Sequence, residues 1–109
     1  MENRLEILRN EIDELIKEKQ PNKERNFYVH LYGVSHFCTL LALRRNLNVE
    51  IATTCGILHD IYPVLSGNYE NHGINGAECT KQILGKNNLY NNEEITVIAN
   101  SISRHSEKK

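Results

Sequence analysis

Apolar residues recur at helical spacing along the whole chain, and nowhere at the two-residue spacing of a strand. Met1, Leu5, Leu8, Ile12 and Leu15 step by four and three positions, which lines one face of a helix over residues 2–19. Pro21 and Asn22 then break it. A second helix is expected over residues 23–46, with Val34, Phe37 and Leu41 on its core face. A third follows over residues 49–61, with Asn48 as its N-cap and Ile51, Ala52, Cys55 and Leu58 as a broad apolar face. Pro63, Ser66, Gly67 and Asn68 mark residues 62–70 as a loop. A fourth helix starts near Asn71 or His72 and ends near Gly85. A fifth starts near Glu93 and carries Ile95, Ile98 and Ile102. The expected fold is therefore all-α, a bundle of about five helices. Residues 1–20 form its N-terminal amphipathic helix and residues 22–109 its core, within one domain.

A chain of 109 residues has room for one domain and can bury a core without staples. The net charge of -1 gives no signal for nucleic-acid or other polyanion binding. No apolar run approaches the ~20 residues of a transmembrane helix, and the N-terminus lacks the apolar core of a signal peptide. A cytoplasmic protein is the expectation. Cys38, Cys55 and Cys79 share no C-x-x-C spacing and read as buried small hydrophobes. Gly33 and Gly56 read as close helix contacts rather than phosphate binders.

The placement of the histidines carries more information than their number. His30 precedes Val34, Phe37 and Leu41 by four, seven and eleven positions and so shares their face. His59 continues the apolar face of the third helix, and His105 follows Ile98 and Ile102 on the last. Three histidines from three helices thus point inward, with Asp60 beside one of them. Imidazole nitrogens with a carboxylate suit a divalent transition metal such as Mn, Fe, Co, Ni or Zn. His36, six residues from His30, falls off that face.

The order of the motifs is more specific than any one of them. His30 comes first, then His59-Asp60, then His72-Gly73-Ile74-Asn75-Gly76-Ala77, then His105. This series resembles the HD superfamily of metal-dependent phosphohydrolases, from about Phe27 to the C-terminus. The resemblance implies an α-helical bundle with the metal site at its centre. His30, His59 and Asp60 then match the ligands of one ion. His72 and His105 match the extra histidines of branches that hold two ions, some of which hydrolyse nucleotides or dinucleotide polyphosphates. The family pattern closes with an aspartate on a helix beyond the last histidine. This chain has only Asp13 and Asp60 and stops four residues after His105. The natural protein is accordingly expected to continue past Lys109 and supply a closing helix.

The implied reaction is hydrolysis of a nucleotide or another small phosphate ester or anhydride. Asp60 would hold metal and orient water, and His72 and His105 would hold a second ion or move protons. Lys81, Arg104 and Lys108 are candidate phosphate contacts, and Tyr62 and Tyr69 candidates for stacking on a base. Two other readings compete. One is a non-catalytic module of the same fold that binds metal or nucleotide. The other is a helical interaction domain that forms a homodimer through the Met1–Leu15 stripe.

Overall fold

A computed structural model describes residues 3–105, with side chains through Arg104. Among these residues there are six α-helices and no strand: α1 Arg4–Lys19, α2 Glu24–Arg45, α3 Val49–Leu58, α4 Ile61–Ser66, α5 His72–Asn87 and α6 Asn92–His105. A 3-10 turn, Pro21–Lys23, joins the first two. Five helices have ten residues or more, as the periodicity predicts.

Three of the long helices, α1, α3 and α6, start where the sequence supplies an acceptor for otherwise unpaired N–H groups. Asn3 accepts from the Leu5 N–H at 2.8 Å and Asn48 from the Ile51 N–H at 3.0 Å. Asn91 and Glu94 cap α6 reciprocally, each side chain accepting from the other's backbone N–H at 2.8 and 3.0 Å. Asn46 and Asn88 end α2 and α5 in the left-handed conformation that asparagine tolerates.

The α1 stripe is consumed within the chain. Leu8, Ile12 and Ile16 are fully buried and join Leu31, Ile57, Leu58, Ile61, Leu84, Ile98 and Ile102 in one continuous core. The homodimer seam expected from Leu8 and Ile12 is therefore not available as a surface. Arg4 fastens the same helix from its other end. Its Nε donates to Glu50 at 2.7 Å, its two Nη groups to Glu94 at 2.9 and 2.8 Å, and its plane lies 4.2 Å from the Tyr90 ring centre. One guanidinium thus ties the starts of α1, α3 and α6 together.

Two expectations need correction. Residues 62–70 are not all loop: α4 covers Ile61–Ser66, with Pro63 in the first turn, where its missing N–H costs nothing. Helix α2 also buries a different face from the one predicted. Phe27, Leu31, Ser35 and Ala42 face inward, whereas Phe37 is 61 % exposed. The reason is the crossing with α3. A Cβ added at Gly56 would sit 2.5 Å from the Ser35 Cα, so the two backbones touch there and only small residues fit. Close approach, not hydropathy, sets the register of α2.

This crossing yields a paired prediction. Gly56→Ala should destabilise the protein by about 1–3 kcal/mol through overpacking, despite alanine's better helix propensity. At Gly33, expected to be a helix contact, an added Cβ would meet nothing within 4 Å. Gly33→Ala should therefore stabilise by about 0.5–1 kcal/mol. Urea unfolding of both variants checks the contrast.

Candidate metal centre

Four side chains converge at the corner between α3 and α4. His30 comes from the first half of α2, His59 is the C-cap of α3, Asp60 precedes α4, and His72 opens α5. The Asp60 Oδ2 lies 2.6 Å from His30 Nε2 and 3.3 Å from His59 Nε2. The two imidazole Nε2 atoms are 3.2 Å apart, and His72 Nε2 stands 3.7 Å from Asp60 Oδ1.

The local backbone decides which nitrogen of each ring looks into this cluster. A helix C-terminus leaves its last carbonyls without intrahelical partners. One of these, Gly56 O, accepts from His59 Nδ1 at 2.7 Å. A carbonyl can only accept, so Nδ1 donates and Nε2 is the nitrogen that faces the cluster. His72 is fixed in the same way, its Nδ1 donating to Tyr69 O at 3.1 Å. Backbone carbonyls in this position orient metal-ligating histidines.

Asp60 occupies the N-cap position of α4, where aspartate commonly accepts from the helix's own N–H groups. Here its side chain makes no capping bond and turns toward the histidines instead. It is 4 % exposed, and its Oδ1 has no hydrogen-bond partner among the described residues. Burial works to raise its pKa, but His59 and His30 outweigh that and hold it at about 2. Burial likewise works to lower the pKa of His59, and the Asp60 carboxylate and Gly56 carbonyl leave it above the usual imidazole range. Asp60 thus stays ionised inside the cluster, and its negative charge makes the site attractive to a cation. Nitrogen and oxygen donors from His30, His59 and Asp60 lie within 4.8 Å of one another. That donor set suits a divalent transition metal.

Gly76 lets the elements close around this point. A Cβ there would lie 3.3 Å from Ile102 Cγ2, 3.9 Å from the His59 carbonyl and 4.0 Å from Tyr62 Cβ. Helix α6 therefore packs directly behind the His-Asp corner.

The remaining candidates separate clearly. His30 is half exposed at the mouth of the site rather than on the core side, because α2 is rotated from its expected register. His36 is exposed and borders a different cavity, with Arg9, Asp13 and Tyr32. Asp13 there accepts from Tyr32 Oη at 2.5 Å. Tyr69 stands at the mouth, 60 % exposed, with its ring edge-on to His72, whereas Tyr62 packs toward α5. Lys81 does not join the site. It lies nine residues beyond His72, roughly 14 Å along α5 and on the opposite side, and its Nζ is 3.3 Å from Glu78. Arg104 is exposed near the end of α6. Lys108 and the side chain of His105 lie outside the described residues. The three cysteines are free and half-buried rather than buried, and burial pushes the Cys55 thiol up to about 11, which suits no nucleophile. Sequence reasoning missed Lys23 and Asn26, which border a cavity beside His30; nothing in their local pattern distinguishes them from surface residues.

Comparison with known proteins gives the same assignment. The model of the HD domain matches residues 27–109. The chain belongs to the HD domain family, within the superfamily of metal-dependent phosphohydrolases. His59 and Asp60, the corner just described, lie within the matched residues. The chain is also similar to an uncharacterized protein of Clostridium beijerinckii, 38 % identical over 104 residues. That match takes in 87 % of this chain and 64 % of the relative's length. No solved structure matches the chain significantly. Helix α1 lies before the first residue of the HD match, yet it completes the HD core.

The Asp60 environment makes acid stability a direct readout of this corner. A carboxylate held below its ordinary pKa stabilises the fold above pH ~4 and loses that contribution as pH falls toward about 2, because the unfolded chain takes up the proton first. In metal-free protein, Asp60→Asn should flatten the stability profile between pH 4 and 2 by on the order of 2 kcal/mol relative to the parent chain. Chemical denaturation across that range measures it.

Proposed function

We propose that this chain is a divalent-metal-dependent phosphohydrolase acting on a nucleotide or another small phosphate ester or anhydride, and that it works in the cytoplasm as one domain over residues 1–109. No helix among the described residues is long and apolar enough to cross a membrane. The observation that carries the proposal is the buried Oδ1 of Asp60, without a hydrogen bond among the described residues, with the Nε2 of His72 3.7 Å away and those of His30 and His59 at its other oxygen.

His30, His59 and Asp60 would hold the ion, which is Mn, Fe, Co, Ni or Zn by donor type. When bound, it supplies Lewis acidity that offsets phosphoryl charge and makes water a competent nucleophile near neutral pH. The protein's own groups do the rest. Asp60 orients the attacking water through its second oxygen. His72, with its Nδ1 proton held by Tyr69 O, accepts a proton at Nε2 and returns it to the leaving group. His105 is its expected companion, in that role or in holding a second ion. The half exposure of His30 leaves the site open on one side for substrate.

The competing reading is a non-catalytic module of the same fold that binds metal or nucleotide. Turnover decides between the readings. The metal-loaded chain should hydrolyse phosphomonoesters in a metal-dependent manner, and Asp60→Asn should lower kcat/KM by at least about 100-fold, close to 3 kcal/mol of transition-state stabilisation. Tight metal binding without turnover on any phosphate would instead establish the binding module.

A further inference from the structure

A cavity of about 240 Å³ opens against the solvent side of His30. One wall comes from the turn between α1 and α2, with Gln20 and Lys23, and from Asn26 in the first turn of α2. Phe27 lines it further along α2, and Tyr69 faces it from the α4–α5 connection. His30 belongs to both the cavity and the metal centre, so a molecule seated here reaches the cluster from the open side.

The chemistry of the lining is selective. It offers one ammonium, from Lys23, and two side-chain amides, and no carboxylate. Gln20 is held in place by donating to Val64 O at 3.2 Å. One ammonium beside a divalent ion balances a single phosphate group and leaves nothing for a polyphosphate chain. Phe27 is 8 % exposed and gives the cavity an apolar side. The Tyr69 ring, 60 % exposed and braced edge-on by His72, leaves a face for a planar group. The volume is below the ~300 Å³ at which pockets for drug-sized ligands begin, so it seats a small phosphorylated molecule in part and leaves the remainder toward solvent.

We infer that this cavity is the recognition pocket for a singly phosphorylated small molecule bearing a planar ring, with Lys23 binding the phosphate and Tyr69 the ring. The inference rests on the hydrolase reading for its orientation, phosphate toward His30. Gln20, Lys23 and Asn26 precede residue 27, where the HD match begins. This wall is therefore built by residues that lie before the HD match in this chain.

The test uses the full chain, with Lys23→Ala, Tyr69→Ala and Lys81→Ala as a control. All three positions are exposed, and none is a metal donor. Calorimetric titration with a nucleoside monophosphate, an alkyl monophosphate and inorganic phosphate gives affinities independent of turnover. Lys23→Ala should weaken all three by about 10-fold, the worth of a charge-assisted hydrogen bond. Tyr69→Ala should weaken only the ring-bearing ligand, and Lys81→Ala none. Where there is turnover, the losses should fall on KM and leave kcat within about twofold, as expected for uniform binding. Affinities unchanged in Lys23→Ala and Tyr69→Ala, in a chain that still hydrolyses monophosphates, overturn the pocket and leave the hydrolase standing. Lys23-dependent phosphate binding in a chain without turnover keeps the pocket and removes the hydrolase.

Discussion

A carboxylate taken out of water needs hydrogen bonds or charge on both of its oxygens, and among the described residues Asp60 has hydrogen-bond partners on only one. That imbalance organises the centre of the molecule. His30 and His59 crowd Oδ2, and His72 stands just beyond hydrogen-bond reach of Oδ1. The helix-capping role open to Asp60 is given up. Such an arrangement makes sense where a cation completes it. The proton that His59 retains above its usual range answers the same field that would draw a metal.

The fold serves that corner through close approaches rather than bulk. Gly56 against Ser35 brings α2 onto α3, which sets His30 beside Asp60. Gly76 brings α5 and α6 against the His59 carbonyl, which sets His72 opposite. Helix α1 contributes no donor to this centre, yet its buried stripe and the Arg4 cluster hold the other helices in register. The turn that follows it then presents Lys23 to the open side of the site. One segment outside the family match thus supports the core and shapes its entrance.

Much of this was legible in the sequence, and the failures have physical causes. Helical periodicity located five helices because each buries one face. Asn48 was legible as a cap because its side chain has few other uses there. The His59-Asp60 pair stood out by its place at the end of an apolar helix. Three features were hidden. The inward face of α2 carries Ser35 in place of a large apolar residue, since the backbones touch there, so hydropathy pointed to the wrong side. Helix α4 was hidden by Pro63, which breaks helices in general but not in a first turn. Lys23 was hidden because its importance depends on where a distant loop places Tyr69.

The central claim is that His30, His59 and Asp60 bind a divalent transition metal. Elemental analysis of the purified chain, beside His59→Ala, tests it most directly. The account predicts near-stoichiometric Mn, Fe, Co, Ni or Zn in the parent chain and its loss in the variant. A parent chain that stays metal-free after loading with excess Mn or Fe, while remaining folded, would contradict it and leave Asp60 as a buried carboxylate held by histidines alone.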